Sequence, residues 1–181
     1  MYRGRPPARF GGVIELRRAA LADVDWLVEL YDDPDVEPFL GGNRARGADA
    51  VREEVERSLA EPRRFGRLLV LAGGERAGAL GYHEVSETHR IAYGEALAIH
   101  PAFRGRRIAD EAARLLQRYV LQELGYHRLE LAVYGFNERA LAHAERAGYV
   151  REGVKRKAYL RHGEWQDAVL FSLLQEELES P

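Results

Sequence analysis

Residues 91–99 read as a strand that ends at His100-Pro101. Leu129, Leu131 and Val133 alternate with Glu130, Ala132 and Tyr134, which is strand periodicity again. Between them, residues 106–124 place Ile108, Ala112, Leu115, Leu116, Tyr119 and Leu124 on one broad helical face, and Gly125 closes that helix. This unit constrains the fold more than any other feature. Two strands of one sheet joined by a long helix are expected to run parallel, through a right-handed crossover.

The flanking segments are hairpins, so the rest of the sheet is expected to be antiparallel. Residues 68–72 and 77–85 flank Gly73-Gly74, and residues 149–160 and 165–174 flank a turn at His162-Gly163. Ahead of them stands a short strand over 13–17. A helix opens at Asp23, with Val24, Leu27, Val28 and Tyr31 at helical spacing, and 32–38 breaks it. A second helix over 49–60 has Val51, Val55 and Leu59 spaced by four, and Asn137 opens a short helix that Gly148 closes. The predicted order is β-α-α-β-β-β-α-β-α-β-β, a mixed α/β sheet in one domain over 13–175. Strands arriving in runs exclude a doubly wound dinucleotide fold. Residues 1–12 read as a flexible leader and 176–181 as a tail, and no interdomain linker is visible.

Several chemistries can be struck off. The 181 residues contain no Cys, which removes disulfides, thiolate metal sites and cysteine nucleophiles. None of the four serines sits in a G-x-S-x-G elbow, and no dinucleotide or P-loop fingerprint occurs. The six histidines form no ligand-spaced cluster, so no metal is expected. With 27 basic and 29 acidic residues the net charge is −2, which argues against a dedicated nucleic-acid binder. No secretory signal or membrane-spanning run is present, so a cytoplasmic protein with no membrane partner is expected.

The long helix begins in an unusual way. Arg104, Arg106 and Arg107 crowd a helix start, where the dipole disfavours cations. Either Asp110 and Glu111 relieve a solvated basic loop, or an anion occupies the site, held by free N–H groups and guanidinium forks. Gly105 would let a backbone approach such a ligand closely.

Arg104-Gly105-Arg106-Arg107-Ile108-Ala109 resembles the R/Q-x-x-G-x-G/A pyrophosphate loop of the GNAT N-acetyltransferase superfamily. Leu97-Ala98-Ile99-His100-Pro101 resembles that family's pantetheine-pairing strand. Asn137-Glu138-Arg139-Ala140 and Glu145-Arg146-Ala147-Gly148-Tyr149 are similar to its N-x-x-A…E-K-x-G-F block. Gly153 and residues 162–167 are similar to the branch holding ribosomal-protein alanine and spermidine acetyltransferases. The likeness spans roughly residues 13–175.

The resemblance implies helices on both faces of the sheet and a parallel strand pair splayed around acetyl-CoA, with transfer of its acetyl group to a primary amine. Leu97, Ala98 and Ile99 would meet the pantetheine arm. Arg104, Gly105, Arg106, Arg107, Ile108 and Ala109 would cradle the pyrophosphate, and Asn137 would contact the coenzyme, a role compatible with capping its helix. Glu95 is the candidate base, or else an edge carboxylate. It sits one residue beyond the position where many relatives carry a glutamate, which is Gly94 here, so only a bulge would turn it to the right face. Tyr134 is the candidate acid for the leaving thiolate, or else a packing residue. His100 and His143 read as structural or exposed rather than catalytic. The loop 32–40, with Asp32, Asp33, Asp35 and Glu37, and the final hairpin are expected to form the acceptor site, and a homodimer is left open.

Two departures stand out. Arg107 replaces the loop's middle glycine, and Ala144 stands where many relatives have a tyrosine acid. Both keep open a non-catalytic acyl-CoA-binding or sensing domain of the same fold.

Overall fold

The computed structural model describes residues 14–41 and 47–178. The expected leader, Val13 and the last three residues lie outside them. The strands are β1 (Ile14–Arg18), β2 (Phe65–Ala72), β3 (Glu75–Ser86), β4 (Ile91–Ile99), β5 (Arg128–Tyr134), β6 (Val150–Arg161) and β7 (Glu164–Leu174). The helices are α1 (Val24–Asp32), α2 (Gly47–Ala60), α3 (Ile108–Arg118) and α4 (Glu138–Arg146). One seven-stranded sheet runs β1-β2-β3-β4-β5-β7-β6, antiparallel except for β4 and β5.

Two apolar clusters cover the two faces. Val24, Leu27, Leu30 and Tyr31 of α1 and Val51 and Val55 of α2 pack with Leu69, Ala79 and Ala98. Ile108, Ala112, Leu115 and Leu116 of α3 and Ala144 of α4 pack with Leu80, Ala92, Leu129 and Phe171 on the other side. Leu59 departs from the expected pattern. It is 48% exposed, and Ser58 is buried in its place, where its hydroxyl accepts from Arg18 and from the Arg67 N–H.

The long helix also departs from expectation at its start and in the geometry of its last turn. It starts at Ile108 rather than residue 106, behind a left-handed Arg107. Over Tyr119–Glu123 it widens to π geometry, with the Leu124 N–H bonded to the Tyr119 carbonyl. A π turn often marks local adjustment, and here it lets the consecutive Tyr119, Val120 and Leu121 all be buried. Gly125, at φ +77, ends the element as expected.

β4 and β5 pair only through Ile91–Arg128, Ala92–Leu129 and Tyr93–Glu130. Beyond Tyr93 their register ends, and β5 continues on β7 alone. The sheet therefore opens between Gly94–Ile99 and Leu131–Tyr134.

Candidate active site

The opening is flanked by an irregular strand. Two residues of β3, Ala79 and Gly81, stand opposite Ala98 and Glu95, so β4 carries one extra residue. The bulge falls at Ala96, which is left-handed at φ +55. Beyond it the side-chain alternation changes phase. Leu97 and Ile99 pack on the α3 side, while Ala96 and Ala98 pack on the α1/α2 side. Bulged backbone groups leave the ladder, so the Ala96–Leu97 segment can offer an amide to the opening.

On the α1/α2 side Glu95, just ahead of the bulge, sits in a network that no sequence motif announces. The buried Arg67 guanidinium donates to both oxygens of Glu54, at 2.6 and 2.9 Å, and to Glu95 at 2.7 Å. Gly81 makes room for it, because a Cβ there would lie 2.1 Å from Arg67 Nη1. His83 Nδ1 stands 3.4 Å from the other Glu95 oxygen. Burial pushes the Glu95 carboxyl up, but His83 and the Arg67 charge outweigh burial and hold it at about 2. Burial opposes the Arg67 charge, and Glu54 and Glu95 more than restore it, so its pKa is raised.

Tyr134 lies on the same face as Glu95, since Leu129, Leu131 and Val133 pack on the other. It is buried, stacked on Phe136 at 5.2 Å and edge-on to Tyr159 at 5.8 Å. Tyr93 joins the group through Tyr159 and the Ala132 backbone; burial, then Tyr159, raises its pKa. Phe39 reaches across from the 33–40 loop to Phe136 at 6.3 Å. Of this aromatic wall the sequence singled out only Tyr134.

The loop and the final hairpin do come together. Pro38, Phe136, Arg161, His162, Glu164 and Gln166 line a cleft of about 370 Å³. The loop's acidic run is partly spent on structure, though. Glu37 pairs with buried Arg161 at 2.8 Å and with His162 at 3.4 Å, and Asp33 caps the Asp35 N–H at 2.8 Å.

On the α3 side, Gly105 and Arg107 both have positive φ, +79 and +57. This backbone kink aims the loop past the helix start. The N–H groups of Ile108 and Ala109 have no partner inside the helix, whereas those of Asp110 and Glu111 bond to the Arg107 carbonyl. Arg107 therefore occupies the conformation that favours glycine, at a cost of about 1–2 kcal/mol. Replacing Arg107 by glycine should relieve that strain and raise Tm by about 2–4 °C for each kcal/mol recovered, as a thermal melt would record.

The Arg104 side chain turns away from the helix mouth. It donates to the Ile99 carbonyl at 3.2 Å and to the Asp35 carbonyl at 2.8 Å, tying the helix-start loop to the 33–40 loop. Arg104→Ala should therefore raise KM for a molecule bound at the 33–40 loop by several-fold, more than it weakens a ligand at the helix mouth. Separate titration of the two ligands checks this. Asn137 caps α4, its Oδ1 accepting from the Ala140 N–H at 3.2 Å, which leaves its amide nitrogen as a donor. His100 accepts from Ala102, and His143 pairs with Asp110 at 2.8 Å.

Among the described residues no group of three or more His, Cys, Asp or Glu could hold a metal, and no helix is long and apolar enough to cross a membrane.

Residues 14–150 match the family model of the acetyltransferase (GNAT) domain. The chain is 28% identical over 134 residues to the SPbeta prophage-derived uncharacterized N-acetyltransferase YokL of Bacillus subtilis, covering 74% of this chain and 75% of that protein. It is also 28% identical over 109 residues to the spermidine N(1)-acetyltransferase of Escherichia coli K12, covering 60% of this chain and 58% of that one. Among solved structures, a probable acetyltransferase (GNAT family) from Chromobacterium violaceum superposes with TM-score 0.79 at 25% identity, over 99% of this chain and 91% of that one. The Vibrio cholerae spermidine N-acetyltransferase in complex with CoA and spermine shares the fold, with TM-score 0.82 at 21% identity over 91% and 97% of the two chains.

Proposed function

The chain belongs to the GNAT acetyltransferase family, and from that premise we propose that it moves the acetyl group of acetyl-CoA directly onto a primary amine, with no acetyl-enzyme intermediate. The acceptor is a protein N-terminus, a polyamine or a small amine. One observation carries this reading: the sheet opens between β4 and β5 after three paired residues. The helix mouth lies on one side of that opening, and Glu95 and the aromatic wall lie on the other.

The donor enters from the α3 side. Its pyrophosphate sits at residues 104–109, and its pantetheine arm meets the backbone of Leu97, Ala98 and Ile99, with Asn137 alongside. An amide at the Ala96–Leu97 bulge polarises the thioester carbonyl. The amine enters from the 33–40 loop side. Bringing the two within attack distance supplies several of the roughly 7–11 kcal/mol available from orientation.

The amine arrives mostly protonated, since an α-amino group titrates near ~8 and a lysine-like amine near ~10.4. A Glu95 carboxyl held at about 2 stays ionised and draws in the cation, but it is a weak proton acceptor. We assign proton removal to water at the Glu95–His83 pair. The amine nitrogen then attacks the carbonyl carbon, the C–S bond breaks, the departing thiolate takes a proton from Tyr134, and the second proton shed by the acetylated nitrogen returns to the Tyr134 oxygen through water. Ala144 is buried in α4 and supplies no hydroxyl.

The test is thiol release from acetyl-CoA over a panel of peptides, polyamines and small amines. Amine-dependent release with a matching N-acetylated product supports the reading. Coenzyme binding without release from any class would instead support a non-catalytic acyl-CoA sensor, a reading favoured by the ion pair that ties up Glu95.

A further inference from the structure

We propose that the hollow between the first turns of α3 and the end of α4 is a second phosphate subsite, which grips the 3′-phosphate of coenzyme A and discriminates against dephospho-coenzyme A. The inference rests on the acyl-CoA reading above and extends it to a part of the ligand remote from the thioester.

Arg107, Asp110, Arg114 and Arg146 line this hollow, which holds about 380 Å³. Three guanidiniums thus face one carboxylate, and that carboxylate is already shared. Asp110 pairs with His143 at 2.8 Å and with Arg146 at 3.5 Å, and these partners outweigh burial and keep its carboxyl below the usual range. The closest carboxylate to Arg114 is Glu111, at 3.9 Å. Among the described residues Arg107 makes no ion pair. Arg114 and Arg146 have side chains 55% and 59% exposed, so both are free to swing onto a ligand. In a chain whose net charge is −2, such an excess of positive charge around one concavity favours an anion there.

The pyrophosphate cannot supply all of it. α3 rises about 1.5 Å per residue, so Arg114 lies roughly 10 Å along the axis from Arg107. A diphosphate bonded to the free N–H groups of residues 108 and 109 is served by the helix end and by Arg106 and Arg107. It leaves Arg114 and Arg146 facing a separate site. Coenzyme A carries a second, separate anion of suitable charge, the monoester on its ribose. Planar guanidinium forks match a phosphate in geometry as well as charge.

The experiment is calorimetric titration of the full chain, and of the double variant Arg114→Ala/Arg146→Ala, with coenzyme A and with dephospho-coenzyme A at one salt concentration. The proposal expects the unmodified chain to bind coenzyme A at least about tenfold more tightly. The double variant should bring the ratio close to one by weakening coenzyme A binding alone. Equal binding of the two ligands by the unmodified chain overturns the proposal, and so does an undiminished ratio in the double variant. Failure of both ligands to bind overturns the acyl-CoA reading itself, so the two failures are distinct.

Discussion

Arg67→Met should lower the unfolding free energy by about 3–5 kcal/mol, measured by urea denaturation at neutral pH. Arg67 is 6% exposed, and its guanidinium is the shared partner of Glu54 and Glu95. Removing it leaves two carboxylates in a crowded site with one cation fewer, and that exposed cost exceeds what the ion pairs contribute when intact. Arg67→Lys keeps the charge but loses the fork that reaches both acids, so it should fall between the two. The substitution also moves a titration. In the native chain Glu95 is held at about 2, below the ordinary 4.5. Its ion pair therefore stabilises the fold above about pH 4.5, and that contribution fades as pH falls toward 2. Without Arg67, burial is opposed by His83 alone and the carboxyl rises from its native position. The acidic limb of the pH–rate profile should then move to higher pH than in the native chain.

Ala109→Glu should weaken coenzyme A binding by about a hundredfold, or about 2.7 kcal/mol, while leaving the fold intact or slightly more stable. A carboxylate in the first turn of a helix complements the dipole and contributes about 0.3–1 kcal/mol when exposed. The same carboxylate would stand where the pyrophosphate is proposed to bind and would repel it. Thermal melting and ligand titration should thus move in opposite directions. A parallel fall in both would mean that the substitution had damaged α3 rather than filled an anion site.

The architecture was readable because its elements carry strong local signals. The apolar face of 106–124, the Gly73-Gly74 turn and the closing glycines at 125 and 148 each mark one element without help from the rest of the chain. The site was less readable, because it depends on phase. Leu97 points away from the side that Glu95 faces only because of the Ala96 bulge, and nothing in an Ala-Leu-Ala run announces a bulge. Arg67 is not legible as part of the strand because the apolar run starts at Leu68, whereas the strand itself starts at Phe65. An arginine inside an otherwise buried strand was the available signal. The acidic 32–40 loop looked like a lure for cations, and only the folded chain reveals Arg161 opposite Glu37. Arg104 matched a cofactor motif, yet its side chain holds the opposite loop.

In the proposed transfer, donor and amine meet through the β4/β5 opening in one ternary complex. Initial-rate kinetics, varying acetyl-CoA against an accepted amine, test it most directly. Intersecting double-reciprocal lines, with no thiol burst from acetyl-CoA alone, are the predicted result. Parallel lines accompanied by such a burst would reveal an acetylated protein intermediate and contradict the account.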